Sequence, residues 1–131
     1  DSRGLHQQSA ILFNKGKLSL SKWNGQSDWE QTLEAEDIMV TGPLLIFNNE
    51  KEKLDTANAF NKNRHPRTAI AITKNNRALL ITVDGRQENS AGMNLFELTK
   101  FLNWLGASQA INLDGGGSTT LGREQRGRYG G

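Results

Sequence analysis

The sequence is 131 residues long, 35% hydrophobic and 23% charged, with a formal net charge of +2 and no cysteine. That balance suits one ordinary globular domain, and the lack of cysteine excludes thiol nucleophiles, cysteine metal sites and disulfide frameworks. A charge so near neutrality argues against a nucleic-acid partner, and no apolar run reaches the roughly 18 residues that membrane insertion would need.

From the N-terminus, Ala10-Ile11-Leu12-Phe13 and Leu18-Ser19-Leu20-Ser21 flank Asn14-Lys15-Gly16-Lys17 and read as the arms of a hairpin about a glycine turn. The polar stretch after Trp23 leads into Trp29-Glu30-Gln31-Thr32-Leu33, read as loop or one short helical turn capped by Asp28. Gly42-Pro43 punctuates the chain before Leu44-Leu45-Ile46-Phe47, an unbroken apolar run expected to be a buried strand. Residues 48–63 are polar and mixed in charge, the pattern of a solvated connection. Residues 68–73 and 78–83 are β-rich runs joined by Lys74-Asn75-Asn76-Arg77, and asparagine tolerates the left-handed conformations of a tight turn, so a second hairpin is expected.

Asn94 and Glu97 form a capping-box pattern ahead of Leu95, Leu98, Leu102 and Leu105, which recur at helical spacing; Gly106 supplies the stop, and residues 110–113 form the next strand. Strand, helix and strand in that order make a right-handed crossover that sets the two strands parallel. The expected fold class is α+β, a mixed β-sheet with hairpins and a βαβ-like crossover helix. Residues 1–131 read as a single domain, and the abrupt start at Asp1 with the glycine-rich stop at Gly131 reads as part of a longer one.

Parallel strands place their carboxyl ends on one sheet edge, where ligands of crossover sheets tend to bind, and here Asp84-Gly85 and Asp114-Gly115 follow those ends. Gly115, Gly116 and Gly117 in succession suit close backbone approach to a ligand, and the hydroxyls of Ser118 and Thr119 add donors for phosphate or sugar oxygens. A flexible turn that binds nothing is the bland alternative, and a nucleotide P-loop is disfavoured because its GK[ST] ending is missing. Arg64-His65-Pro66-Arg67-Thr68 and Arg86 supply guanidinium groups of the kind that grip phosphate, unless they pair with Asp84 and Asp114 and only hold loops together. Arg123, Arg126 and Arg128 lie in a glycine-rich segment read as a loop, and His6 is given no role. Packing is the default for the tryptophans, Trp104 above all, with Trp23 and Trp29 as secondary candidates for lining a cleft.

Five blocks in order carry a family likeness: Thr41-Gly42-Pro43-Leu44-Leu45, Arg64-His65-Pro66-Arg67-Thr68-Ala69, Thr82-Val83-Asp84-Gly85-Arg86, Ser90-Ala91-Gly92-Met93, and Asn112-Leu113-Asp114-Gly115-Gly116-Gly117-Ser118-Thr119. Together they resemble the phosphodiester glycosidase family. Blocks like Asn-Gly-Gly-Phe-Phe upstream and Pro-Ser-Asp downstream, usual in that family, do not appear, so the chain is taken as a partial domain whose missing parts are its own partners. The resemblance implies hydrolysis of the glycosidic bond in a sugar-1-phosphodiester such as N-acetylglucosamine-1-phospho-sugar, with a phosphorylated carbohydrate or glycoconjugate as substrate. It implies a secreted, periplasmic or lumenal location, and no cofactor or metal. Carried over by position, Asp84, Asp114 and Arg86 are catalytic; Arg64, His65, Arg67, Thr68, Gly85, Gly115, Gly116, Gly117, Ser118 and Thr119 bind substrate. Two other readings compete: a non-catalytic module for anionic glycans, and a metal-dependent phosphodiesterase using both aspartates as ligands.

Overall fold

The computed structural model describes residues 3–84 and 92–113. The expectations for Gly85, Arg86, Ser90, Ala91, Asp114, the segment 115–119 and Arg123, Arg126 and Arg128 lie outside those residues. Strands β1 (Ser9–Asn14) and β2 (Lys17–Lys22) form the first hairpin, with Asn14 opposite Lys17. Lys15 and Gly16 both take positive φ, 51° and 78°, the two-residue turn whose twist matches a hairpin. Strand β3 (Asp37–Thr41), which the sequence pattern did not reveal, pairs antiparallel with β1 to complete a three-stranded sheet in the order β2-β1-β3.

The second sheet has the order β5-β4-β8-β6-β7, built from β4 (Leu44–Phe47), β5 (Glu50–Lys51), β6 (Arg67–Thr73), β7 (Ala78–Val83) and β8 (Ala107–Leu113). Neighbouring strands here are antiparallel. Strands β7 and β8 nevertheless run in the same direction, as the crossover implies, because β6 lies between them and is antiparallel to both. The fold is α+β, with few helices against its sheets.

Alternation along β6 explains how the layers pack. Ala69 and Ala71 face one side and meet Leu95, Leu98 and Leu102 of helix α3 (Leu95–Trp104), while Ile70 and Ile72 face the other and meet Ile11 and Leu20 of the first sheet. Small alanines let the helix approach the strands; bulky isoleucines fill the wider gap between sheets. Burial of the three helix leucines contributes about 1.5–3 kcal/mol each at most. The capping box is present in full: Asn94 Oδ1 accepts from Glu97 N at 2.8 Å, and Glu97 Oε1 accepts from Asn94 N at 3.0 Å.

Four expectations need correction. Helix α1 (Trp29–Thr32) follows Asp28, but the Asp28 side chain makes no capping bond, and one turn of helix is held instead by burial of Trp29. The polar segment 48–63 is more than a connection: it contains β5 and helix α2 (Ala59–Lys62), and Asn61 is fully buried with Nδ2 donating to Asp55 O at 3.0 Å. The strand read as 110–113 begins three residues earlier, at Ala107. Trp104 is 77% exposed and stacks on Phe101 at 6.0 Å, because residues 101 and 104 share the face opposite the leucine stripe.

Candidate functional site

Of the expected site residues, Arg67, Thr68 and Asp84 lie at one edge of the larger sheet. Strand β7 ends at Val83, opposite Arg67, and β8 reaches Leu113, opposite Thr68, so both carboxyl ends flank the start of β6 at the same level. Asp84 follows the first end and is exposed. Asp114 follows Leu113 in sequence. Because β6 intervenes, the two strand ends stand two spacings apart, about 10 Å.

Arg67 is 4% exposed and faces α3 from this edge. Its Nε donates to Met93 O at 2.9 Å, and its Nη2 donates to Phe60 O at 2.7 Å and Asn63 O at 2.8 Å. The guanidinium also lies over the Phe60 ring, 4.7 Å from its centroid. It therefore joins α2, the turn after it and the lead-in to α3. Burial lowers its pKa, since desolvation opposes the charged form. Among the described residues these three bonds run to backbone carbonyls, which ties Arg67 to the scaffold.

Arg64 is placed differently. Its Nη2 pairs with Glu97 Oε2 at 2.6 Å, and its side chain is 55% exposed, a surface pair that contributes little to stability. His65 is exposed, and its backbone bridges Met93: Met93 N donates to His65 O at 3.1 Å, and His65 N donates back at 3.3 Å. Gly92 makes that bridge possible. It has φ +76°, and a Cβ there would stand 2.2 Å from His65 O and 2.4 Å from its carbonyl carbon. Thr68, half-buried, lies between Thr82 and Leu113.

Two residues that sequence reasoning passed over close the β4 side of the edge. Asn112 is 1% exposed; its backbone N donates to Pro43 O at 3.0 Å and its Nδ2 to Gly42 O at 3.1 Å. Its Oδ1 has no partner among the described residues. His6 Nδ1 lies 3.0 Å from the same Gly42 O, and its ring meets Phe60 edge-on at 4.7 Å. The Gly42-Pro43 bond is cis. A polar residue in an apolar strand run was the available signal for Asn112; His6 gave none, because its partner lies 36 positions away.

Beyond Pro43 the edge continues into a cleft of about 110 Å³ lined by Gln8, Lys22, Trp23, Pro43, Glu52 and Lys53 among others. Of the two cleft candidates, Trp23 lines it and Trp29 is buried. A larger open groove of about 570 Å³ lies at the opposite end of the sheet, along Thr73, Lys74, Arg77 and Gly106. Among the described residues its lining has no carboxylate and none of the expected site residues. No described helix is long and apolar enough to cross a membrane.

Residues 3–128 match the family profile described as Phosphodiester glycosidase. The chain is 35% identical over 91 residues to the N-acetylglucosamine-1-phosphodiester alpha-N-acetylglucosaminidase of Mus musculus, covering 70% of this chain and 15% of that protein. The Homo sapiens protein of the same name is 44% identical over 55 residues, covering 42% of this chain and 10% of the other. The chain thus spans a small part of the curated relatives it matches. In fold it resembles the zebrafish N-acetylglucosamine-1-phosphodiester alpha-N-acetylglucosaminidase catalytic domain auto-inhibited by pro-peptide, with TM-score 0.63 and 24% identity over 82% of this chain and 39% of that one.

Proposed function

The chain belongs to the phosphodiester glycosidase family, and on that premise we propose that it is the core of a hydrolase that cleaves the glycosidic bond of a sugar-1-phosphodiester, N-acetylglucosamine-1-phospho-sugar being the substrate class. The observation that carries the reading is the convergence of the β7 and β8 ends on one edge, on either side of Arg67.

The chemistry suits that arrangement. The bond between the anomeric carbon and the phosphoester oxygen breaks, its electron pair leaving with the phosphate, and water supplies the hydroxyl that the sugar gains. A phosphate monoester is already a good leaving group, so its departure needs charge stabilisation more than protonation. Arg86 and Arg64 are assigned that role; Arg64 can leave its exposed partner Glu97 at small cost. Arg67, whose Nε and Nη2 donate to backbone carbonyls, contributes a buried positive charge and the shape of the edge. Asp84 and Asp114 act on the anomeric centre, one stabilising positive charge or activating water. His65, Thr68, Gly85, Gly115, Gly116, Gly117, Ser118 and Thr119 complete the substrate contacts, and the reading carries with it an exported or lumenal location.

The test is the fate of the solvent oxygen. Turnover of a sugar-phosphate-sugar diester by the protein in isotopically labelled water places the label on the anomeric oxygen of the released sugar. Label in the phosphate means P–O cleavage and overturns the proposal.

A further inference from the structure

We propose that the cleft beside Pro43 is a second sugar subsite, which takes the pyranose ring on the far side of the phosphate. This rests on the glycosidase reading for the ligand's identity, but on the geometry of the cleft for its place. Pro43 forms one wall, and that wall is fastened to the tip of β8 by the two Asn112 bonds to Pro43 O and Gly42 O. The cleft therefore begins one strand spacing, about 5 Å, from the strand that leads into Asp114.

Its chemistry is that of a sugar site. Trp23 is half-buried, and its indole Nε1 donates to Gln26 O at 2.9 Å while the Arg3 guanidinium packs over the ring at 5.6 Å. Arg3 is itself held by Trp29, at 5.4 Å, and by an ion pair with Glu30. The indole is thus set before a ligand arrives, which reduces the ordering entropy lost on binding. Arg3 covers one face of the ring, and the part of Trp23 that lines the cleft offers an apolar surface suited to the C–H face of a pyranose. Beside it, Lys22 Nζ and Glu52 Oε1 stand 2.8 Å apart, a donor and an acceptor spaced for neighbouring hydroxyls, and the Gln8 amide adds both kinds of group. At about 110 Å³ the cleft is below the roughly 300 Å³ at which stand-alone ligand pockets begin, as expected of a subsite for one ring of a longer substrate.

The experiment has a binding arm and a turnover arm. In the first, glucose 6-phosphate and its hexose epimers, as simple sugar phosphates, are each titrated into nitrogen-15-labelled protein and the indole resonance assigned to Trp23 is followed. A saturable shift with at least one of them that inorganic phosphate does not reproduce is expected; no shift with any, or the same shift with inorganic phosphate, overturns the subsite. In the second, Trp23→Ala raises the KM of a sugar-phosphate-sugar diester about tenfold, as loss of one aromatic contact would, and leaves that of the methyl phosphodiester of the same donor sugar unchanged. Glu52→Gln, a near-isosteric change at a partly buried position, shows the same selectivity if Trp23→Ala does not fold. Equal effects on both substrates overturn the subsite. A Trp23 shift without turnover of either diester leaves the subsite standing and removes the glycosidase reading.

Discussion

Replacement of Arg67 tests whether the candidate site rests on a cationic fastener. Its guanidinium makes three hydrogen bonds to the carbonyls of Phe60, Asn63 and Met93 and lies over the Phe60 ring. A bond to a charged donor contributes about 1.5–3 kcal/mol in isolation. Two of these share Nη2, and Asn63 is exposed, so water can replace part of what is lost. The expected cost of Arg67→Ala is therefore about 3–5 kcal/mol, well below the arithmetic sum. Arg67→Lys keeps the charge but not the fork, and should cost about 1–3 kcal/mol. Arg67→Met keeps most of the stem over Phe60 and removes every donor, so it should fall between these two. Urea unfolding with a common slope measures all three. If Arg67→Met unfolds within about 0.5 kcal/mol of the parent protein, the carbonyl bonds contribute nothing net, and the edge is held by packing alone.

Gly92→Ala should destabilise by about 2–4 kcal/mol, because φ +76° and a Cβ at 2.2 Å from His65 O together force the His65–Met93 bridge apart; thermal melts check it, and an unchanged midpoint would mean the close approach is not there. Asn94→Ala removes the cap of α3 and should cost about 1 kcal/mol, read as a shift in denaturant midpoint with constant slope. Arg64→Ala should change stability by less than about 1 kcal/mol, since its partner Glu97 stays bonded to Asn94 N. Under the proposed function the same variant should raise KM for the diester severalfold, and a large stability loss with unaltered KM would make Arg64 a scaffold residue.

Where local chemistry determined local structure, the sequence was legible. The Lys15-Gly16 turn, the Asn94–Glu97 capping box and the β-rich run 68–73 each announce their element, and the structure has all three. What could not be read depended on distant partners. Strand β3 is an edge strand whose Asp37 and Ile38 are exposed, so it shows no clean alternation and exists because β1 pairs with it. The groups that Arg64 and Arg67 meet within the fold are remote in the same way. Arg67 meets carbonyls brought in by α2 and by the segment before α3, and Arg64 meets a glutamate 33 positions away. Asn112 falls within an apolar strand run, and its value as a fastener appears only when Gly42 arrives from 70 positions away.

The order of the larger sheet has a consequence for synthesis. Among the described residues its two hairpin halves, β4 with β5 and β6 with β7, are hydrogen-bonded to one another only through β8, the last described strand to be made, which must slot between them as a keystone, Leu44 meeting Ile111 and Thr68 meeting Leu113. A nascent chain that has not yet released residue 113 from the ribosome holds two open strand borders, prone to sticking to neighbours. The strand that closes those borders is also the one that Asp114 follows in sequence, so under the proposed function an immature chain does not act on substrate before β8 is in place.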